Sequence, residues 1–361
     1  MNKKKLLYLT NLPAPYKIDF FNLLSKEFDL TVVAERRSAD DRDPKWIKDK
    51  ECRFVLLYLS GIKYGNSSII SFGIIKYLKS DYDLVIVNGY ASPTMIIAIN
   101  YLSSKKIPFF FVSDGMIPKK SATFKEKYKS KLLKKATLCL SSGKMNTDAL
   151  LLSGVNPAKI RVYPFSSISE NEIVSGVPDK DYYKRIIGCE NKTVFLYVGQ
   201  MIYRKGVDLL VKAFNRIQND NIELICVGGG KTYFDAINDN RIKYVEFLDK
   251  DNLKDYYLAA DMFILPTRED IWGLVVNEAF AHGCPVITTD MCAAGIEMID
   301  NRVNGYIVPN NSIEALYEIM SRCVEKKNVL SLSIECVNTA HKYTIEKMAE
   351  RTTEIINEFL N

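Results

Sequence analysis

Short runs of Val, Ile, Leu and Phe recur along the chain and are separated by amphipathic stretches. In the first half they fall at residues 6–9, 30–33, 54–58, 84–87, 109–112, 138–140 and 160–163. Several are almost continuously apolar, as strands covered on both faces of a parallel sheet tend to be. Residues 18–26 and 92–102 between them carry helical spacing. Strands alternating with helices predict an α/β doubly wound sheet. The rhythm breaks over residues 164–192, which are rich in Ser, Asn, Asp and Lys and contain Gly176 and Pro178. That composition reads as a linker. The alternation then restarts, with strands predicted at 194–198, 222–227, 244–247, 262–265, 286–288 and 306–308. Helices are predicted at 206–218, 253–260, 275–282 and 313–325. The last stretch, 345–360, is amphipathic and helical.

The expected organisation is therefore two Rossmann-like domains in tandem, 1–165 and 193–340. A linker at 166–192 joins them, and a C-terminal segment, 341–361, is expected to pack back on the first domain. Paired sheets of this kind are expected to bind ligands in an interdomain cleft at the carboxyl ends of their strands. The length, 361 residues, suits two domains of about 150–200 residues.

Composition changes this picture little. The chain is 47% hydrophobic and 25% charged, which is globular and not disordered. A net charge of +6 is too small an excess to argue for nucleic acid. None of the eight cysteines forms a CxxC pair; Cys139 and Cys226 lie in strand-like runs, so reduced buried thiols are expected. The basic start, Met1-Asn-Lys-Lys-Lys, is followed by a short strand-like run and not by the apolar core of a signal peptide. No apolar stretch reaches the roughly 20 residues of a membrane span. A soluble cytoplasmic protein is expected.

The stretch 265–287 carries the most chemistry. Leu-Pro-Thr-Arg-Glu-Asp-Ile-Trp-Gly-Leu-Val-Val-Asn-Glu-Ala-Phe-Ala-His-Gly-Cys-Pro-Val-Ile reads strand, loop, helix, turn, strand. Gly273 stands where the loop enters the helix, and free N–H groups there suit a pyrophosphate. Glu278, about one turn in, could accept hydrogen bonds from ribose hydroxyls. Asp270 precedes the helix, near whatever the pyrophosphate carries. A nucleoside diphosphate sugar fits this order. Taken alone, either acid could equally be an ordinary helix-terminal carboxylate, favoured by the macrodipole.

Asp270, Trp272, Gly273, Glu278, Gly283, Pro285 and Val286 together resemble the signature of glycosyltransferase family 4. These are retaining, usually metal-independent enzymes of the GT-B superfamily. The family pattern begins with Glu; here Asp270 holds that slot, with Glu269 before it. The sugar-contacting role is thus divided between the two acids, and the spacing to Glu278 favours Asp270. Tyr197-Val-Gly-Gln-Met-Ile-Tyr-Arg-Lys-Gly resembles the family's strand-end motif, whose Arg and Lys neutralise the diphosphate. Gln200 stands in the usual Arg slot, Lys205 matches the Lys, and Arg204 is an adjacent candidate. Cations there would stabilise the charge that a departing diphosphate develops. Val227-Gly-Gly-Gly-Lys-Thr resembles the second glycine-rich strand end; its likeness to a nucleotide-triphosphate loop fails at Ile225, where Gly is required. Residues 245–249 match the stretch that meets the base. The resemblance implies donor contacts from Gly199, Gln200, Gly229, Phe247, Ile271, Trp272, Gly273, Leu274 and Glu278, with no cofactor or metal. Asp41-Arg42-Asp43 has the Asp-x-Asp pattern of the metal-dependent glycosyltransferase fold, but lies in a polar loop and not after a buried strand.

In the first half, the loop after the first strand brings Pro13, Pro15 and Tyr16 to the place where such enzymes meet the acceptor. Many family members carry a His that touches the transferred sugar. The matching segment, Phe110-Phe-Val-Ser-Asp-Gly-Met-Ile-Pro-Lys, has none, and Asp114 is the candidate replacement; it could instead cap the following turn. Residues 119–135 hold eight lysines and one acid, Glu126. Phe124, Tyr128 and Leu132 share one helical face, which suits either an anionic membrane surface or plain packing. The expected function is transfer of a sugar from a nucleoside diphosphate sugar to a glycan or polyprenyl-diphosphate-linked acceptor in bacterial surface polysaccharide synthesis, at the inner face of the membrane. The alternatives are a GT-B sugar-nucleotide epimerase, which needs acid and base groups around the sugar, and a two-domain binding protein without catalysis.

Overall fold

The structure is a computed structural model that describes residues 3–37, 51–64, 68–118, 123–230, 239–325 and 329–361. The Asp41–Arg42–Asp43 pattern, Lys231, Thr232 and the first lysines of the basic stretch lie outside these residues. The chain forms two compact units: Met1–Ser166 with Ile345–Asn361, and Ser167–Thr344.

The first unit carries β1 (Lys5–Thr10), β2 (Asp29–Ala34), β3 (Val55–Tyr58), β4 (Ile62–Tyr64), β5 (Ser68–Ile70), β6 (Leu84–Asn88), β7 (Phe109–Ser113), β8 (Leu138–Ser141) and β9 (Ile160–Val162). Seven strands form a parallel sheet in the order β3-β2-β1-β6-β7-β8-β9. The order reverses between β1 and β6, where a doubly wound sheet opens its ligand-binding crevice. β4 and β5 form a separate antiparallel hairpin, which periodicity did not disclose because each strand is only three residues long. The helix Pro15–Glu27 starts on a proline, whose fixed φ and missing N–H suit a first helical turn. Of the three residues placed on the loop after β1, Pro15 and Tyr16 already lie in this helix. The C-terminal helix Ile345–Leu360 packs on Pro15–Glu27. Phe359 meets Phe110 of β7 edge-on, with ring centroids 5.1 Å apart.

The second unit carries β10 (Thr193–Val198), β11 (Ile222–Val227), β12 (Ile242–Val245), β13 (Met262–Leu265), β14 (Val286–Thr289) and β15 (Gly305–Val308). All are parallel, in the order β12-β11-β10-β13-β14-β15. Here the order reverses between β10 and β13. The strand expected at 244–247 lies two residues earlier, and Phe247 follows its end, half-buried. The helix Val329–Ala340 was not foreseen.

The polar stretch 166–192 differs most from expectation. It is not a bare connector: from Ser167 on it belongs to the second unit and contains the helix Lys180–Ile186. Lys184 of that helix reaches Asp261 at 2.7 Å, with both side chains nearly buried. Asp261 also accepts the Val194 N–H at 2.8 Å, so this helix anchors the start of β10. Its polar residues are used in pairing, which composition alone does not distinguish from solvation.

One buried acid in the first unit has a measurable consequence. Glu35, just past β2, is 2% exposed. Its Oε1 accepts the hydroxyl of Ser92, which also caps the helix Pro93–Ser104 through the Met95 N–H at 3.1 Å. Among the described residues its Oε2 has no hydrogen-bond partner. Burial pushes its pKa up to about 7 against the opposing pull of Ser92, Arg36 and Thr94. A raised carboxyl pKa means that the folded state holds the proton more tightly. The associated stability is present below the ordinary value near 4.5 and lost as pH rises through about 7. Glu35→Gln should therefore stabilise the protein by about 2–3 kcal/mol at pH 8 and by little at pH 4.5. Urea unfolding midpoints at the two pH values test this; an equal gain at both would contradict it.

Candidate active site

The site is built where the strand order of the second unit reverses. β10 and β11 both end in glycines that let their backbones touch. Gly199 N–H donates to Val227 O at 2.9 Å and Met201 N–H to Gly229 O at 2.8 Å. A Cβ on Gly228 would lie 2.2 Å from Gly199 O, whereas one on Gly229 would meet open space. The Gln200 carbonyl accepts the Tyr197 hydroxyl at 2.7 Å, and the Gln200 side chain is exposed.

After Gln200 the chain makes a 3-10 turn, Tyr203–Lys205, and ends it on Gly206 at φ +73°. A Cβ at Gly206 would lie 2.0 Å from Pro266 O. Only glycine permits this approach between the loop after β10 and the loop after β13. The Arg204 carbonyl accepts the Arg268 N–H at 2.8 Å and the Thr267 hydroxyl at 3.1 Å. The Arg204 side chain is exposed and reaches back to the Glu269 carbonyl at 2.9 Å. Lys205 turns inward and pairs with Asp270; the two side chains are 16% and 8% exposed.

Arg268, outside the sequence-predicted site residues, holds the second loop in shape. Its guanidinium takes both Asp208 oxygens at 2.7 Å, the Tyr203 carbonyl at 2.6 Å and Asn311 at 2.7 Å. It also lies 3.8 Å over the Tyr203 ring. Those bonds draw the Asp208 pKa below the ordinary carboxylate value. A planar fork that meets four acceptors and a ring cannot be replaced by lysine.

Asp270 to Gly273 are pinned to the loop after β14. Asp270 N–H donates to Met291 O at 2.9 Å, and its carbonyl accepts the Ala293 N–H at 3.2 Å. Trp272 is buried, its indole N–H donating to Asn277 at 2.8 Å. Gly273 sits at φ +100°, where a Cβ would come within 2.8 Å of the Cys292 sulfur. The helix Leu274–Ala281 starts there, leaving its first N–H groups without intrahelical acceptors. Ile271 is half-exposed and Leu274 intermediate.

Glu278 stands half-buried on that helix and accepts the Tyr257 hydroxyl at 3.0 Å. Burial pushes its pKa up; the Lys250 ammonium and the Tyr257 hydroxyl oppose that push. Lys250 is itself paired with Glu172 at 2.5 Å and donates to the Ser167 carbonyl at 3.2 Å. The segment read as linker thus supplies two partners close to Glu278, which no local pattern signalled.

The structure therefore brings Gly199, Gln200, Arg204, Lys205, Gly229, Asp270, Trp272, Gly273 and Glu278 to the carboxyl edge of one sheet. Phe247 follows β12 on the same edge. Pro13, Pro15, Tyr16 and Asp114 lie in the first unit, at the equivalent edge of the other sheet. Tyr16 packs edge-on against Phe165 at 5.8 Å. Asp114 is engaged within the first unit. It pairs with the buried Lys17 at 2.9 Å and accepts from Asn88 at 3.2 Å. Asn88 also lies 3.4 Å from the Tyr8 hydroxyl. Burial, reinforced by Asp114, raises the Tyr8 pKa above its ordinary value. Lys17 and Tyr8 were not foreseen, because each gains its partner only through the fold.

Residues 192–326 match the family model of glycosyl transferases group 1. The matched residues lie within the second unit. They include the glycine turns, the Lys205–Asp270 pair and Glu278. An uncharacterized glycosyltransferase of Methanocaldococcus jannaschii is 26% identical over 193 residues, 50% of this chain and 46% of the relative. The putative teichuronic acid biosynthesis glycosyltransferase TuaC of Bacillus subtilis is 24% identical over 260 residues, 70% of this chain and 65% of that protein. The lipopolysaccharide glucosyltransferase WaaG of Escherichia coli is 25% identical over 177 residues, 46% and 47% of the two chains. The chain spans about half to two thirds of the length of such relatives. Among solved structures, Anabaena HepE in complex with UDP and glucose matches with a TM-score of 0.76 at 15% identity, over 98% of this chain and 100% of that one. WaaG matches with a TM-score of 0.64 at 16% identity, over 97% and 99%. At these identities the likeness shows the fold, which is GT-B. Two units, each built on a parallel sheet, agree with it.

Proposed function

We propose that the protein transfers a sugar, with retention of anomeric configuration, from a nucleoside diphosphate sugar to a glycan or polyprenyl-diphosphate-linked acceptor of a surface polysaccharide. The observation that carries this reading is the Lys205–Asp270 pair at the strand-order reversal of the unit that matches the group 1 model, with Glu278 on the helix that follows. In this reading Lys205 and Arg204 hold the diphosphate, the Gly273 helix start adds N–H donors, Glu278 takes the ribose, and Asp270 takes sugar hydroxyls. The ligand-free pair changes partners when donor binds: Lys205 turns from Asp270 to phosphate, freeing the carboxylate for the sugar. The acceptor attacks on the face from which the diphosphate leaves, and the leaving phosphate takes its proton. The cations act by stabilising charge that grows in the transition state. The first unit takes the acceptor through Pro13, Pro15, Tyr16 and Asp114. The UDP and glucose held by HepE, and the polymers named for TuaC and WaaG, support the choice of donor and pathway.

The reading extends to the membrane surface. Among the described residues no helix is long and apolar enough to cross a membrane. On the helix Phe124–Leu133, Leu132 is buried while Phe124 is 87% exposed beside lysines. An exposed aromatic among cations suits docking on anionic lipid at the inner face.

The direct test supplies a panel of nucleoside diphosphate sugars with polyprenyl-diphosphate-linked acceptors on anionic vesicles. A product of unchanged anomeric configuration, formed also in EDTA, is expected, with protein that floats with the vesicles at low salt and not at high salt. Absence of transfer from every donor would refute the enzymatic reading; an inverted product would refute retention alone.

A further inference from the structure

Tyr257 lies on the helix Lys250–Ala259 and is 1% exposed. Its hydroxyl donates to Glu278 Oε2 at 3.0 Å. Its ring stacks on the His282 imidazole, with centroids 5.5 Å apart and planes 10° from parallel, and tilts against Phe263 at 5.7 Å. His282 Nδ1 in turn lies 2.7 Å from the main-chain oxygen of Glu278. The carboxylate, the phenol, the imidazole and one helical turn thus close a ring of contacts. The Glu278 side chain is thereby held at Oε2.

A carboxylate has two oxygens and about four lone-pair positions. A hydrogen bond to one oxygen restricts the group's rotation and biases the direction of the other oxygen. Burying a phenol is costly when its hydroxyl goes unbonded, so the Tyr257 hydroxyl is held to Oε2 by its own surroundings. We propose that Tyr257 is a positioning residue that commits Oε2 of Glu278 to the protein and leaves Oε1 to accept a hydrogen bond from a ribose hydroxyl. On this view the site tells ribonucleotides from deoxyribonucleotides through a residue that touches no ligand. The inference rests on the donor-binding reading of Glu278 given above.

Tyr257→Phe removes the hydroxyl and keeps the ring that stacks on His282. The test titrates native protein and this variant with UDP, ADP and GDP and with their 2′-deoxy and 3′-deoxy forms. The ribonucleotide that binds native protein most tightly is expected to outbind one of its deoxy forms by about tenfold, the worth of a single good hydrogen bond. Tyr257→Phe should bind the ribonucleotide about tenfold more weakly, bind that deoxy form as native protein does, and so lose the discrimination. Its thermal midpoint, read alongside, shows that it is folded. A variant that keeps the native ratio, or weakens both ligands alike, overturns the positioning role while leaving the donor site standing. Native protein that binds none of the nucleotides overturns both.

Discussion

Lys205→Ala is expected to lower kcat/KM for the nucleoside diphosphate sugar by about 10²–10³-fold, the usual cost of removing one preorganised charge partner of a transition state. Lys205 is positioned for this by a turn that only Gly206 can close, and its ammonium is mostly shielded from water. The substitution has a second effect that must be separated from the first. It leaves Asp270, 6% exposed, without its cation, and breaking a buried pair from one side costs about 3–5 kcal/mol at full burial. Lys205 retains some exposure, so about 2–4 kcal/mol is expected here. Lys205→Ala combined with Asp270→Asn removes the stranded charge. The double variant should recover most of the lost stability, read as the urea midpoint, and none of the lost rate. A double variant that regains the rate would mean that Lys205 acts only by neutralising Asp270.

Gly206→Ala is expected to be the most damaging small substitution in the second unit. A methyl group there would stand 2.0 Å from a backbone oxygen, and the backbone has φ +73°. A left-handed conformation costs a non-glycine residue about 1–3 kcal/mol, and overpacking adds about 1–3 more. The clash is with Pro266 O, which cannot swing away as a side chain would. Relief requires the turn that carries Arg204 and Lys205 to move from the loop that carries Asp270, so activity should fall with stability. Gly229→Ala is the matched control, because nothing lies within 4 Å of its added Cβ. It should leave the unfolding midpoint unchanged and weaken nucleotide binding alone. Equal midpoints for the two variants would contradict this account of the glycines.

Legibility in the sequence followed the range of the interactions. Strands such as β10 and β11 were readable because both faces of a parallel sheet are covered and the runs are continuously apolar. β12 was placed two residues late because Phe247 extends the apolar run past the last sheet bond. The helix Lys180–Ile186 was hidden by its polar composition, although its Lys184 is nearly buried against Asp261. Among the candidate site residues, Lys205, Asp270, Gly273 and Glu278 could be placed from sequence because each lies within a few residues of a strand end, Lys205 after β10 and the other three after β13. Arg268, Tyr257 and Lys250 could not, because Asp208, Glu278 and Glu172 become their partners only across the fold. Asp114 shows the same limit: its carboxylate is taken up by Lys17, from a helix about a hundred positions earlier.

The most direct measurement is calorimetric titration of native protein, Lys205→Ala and Glu278→Ala with UDP-glucose and a panel of other nucleoside diphosphate sugars. At least one should bind native protein and, at 100 times its dissociation constant, stabilise it by about 2.7 kcal/mol. Each variant should weaken that ligand by tenfold or more, about 1.4 kcal/mol. Binding that both variants retain in full, or no binding by any member of the panel, would contradict a donor site at Lys205, Asp270 and Glu278.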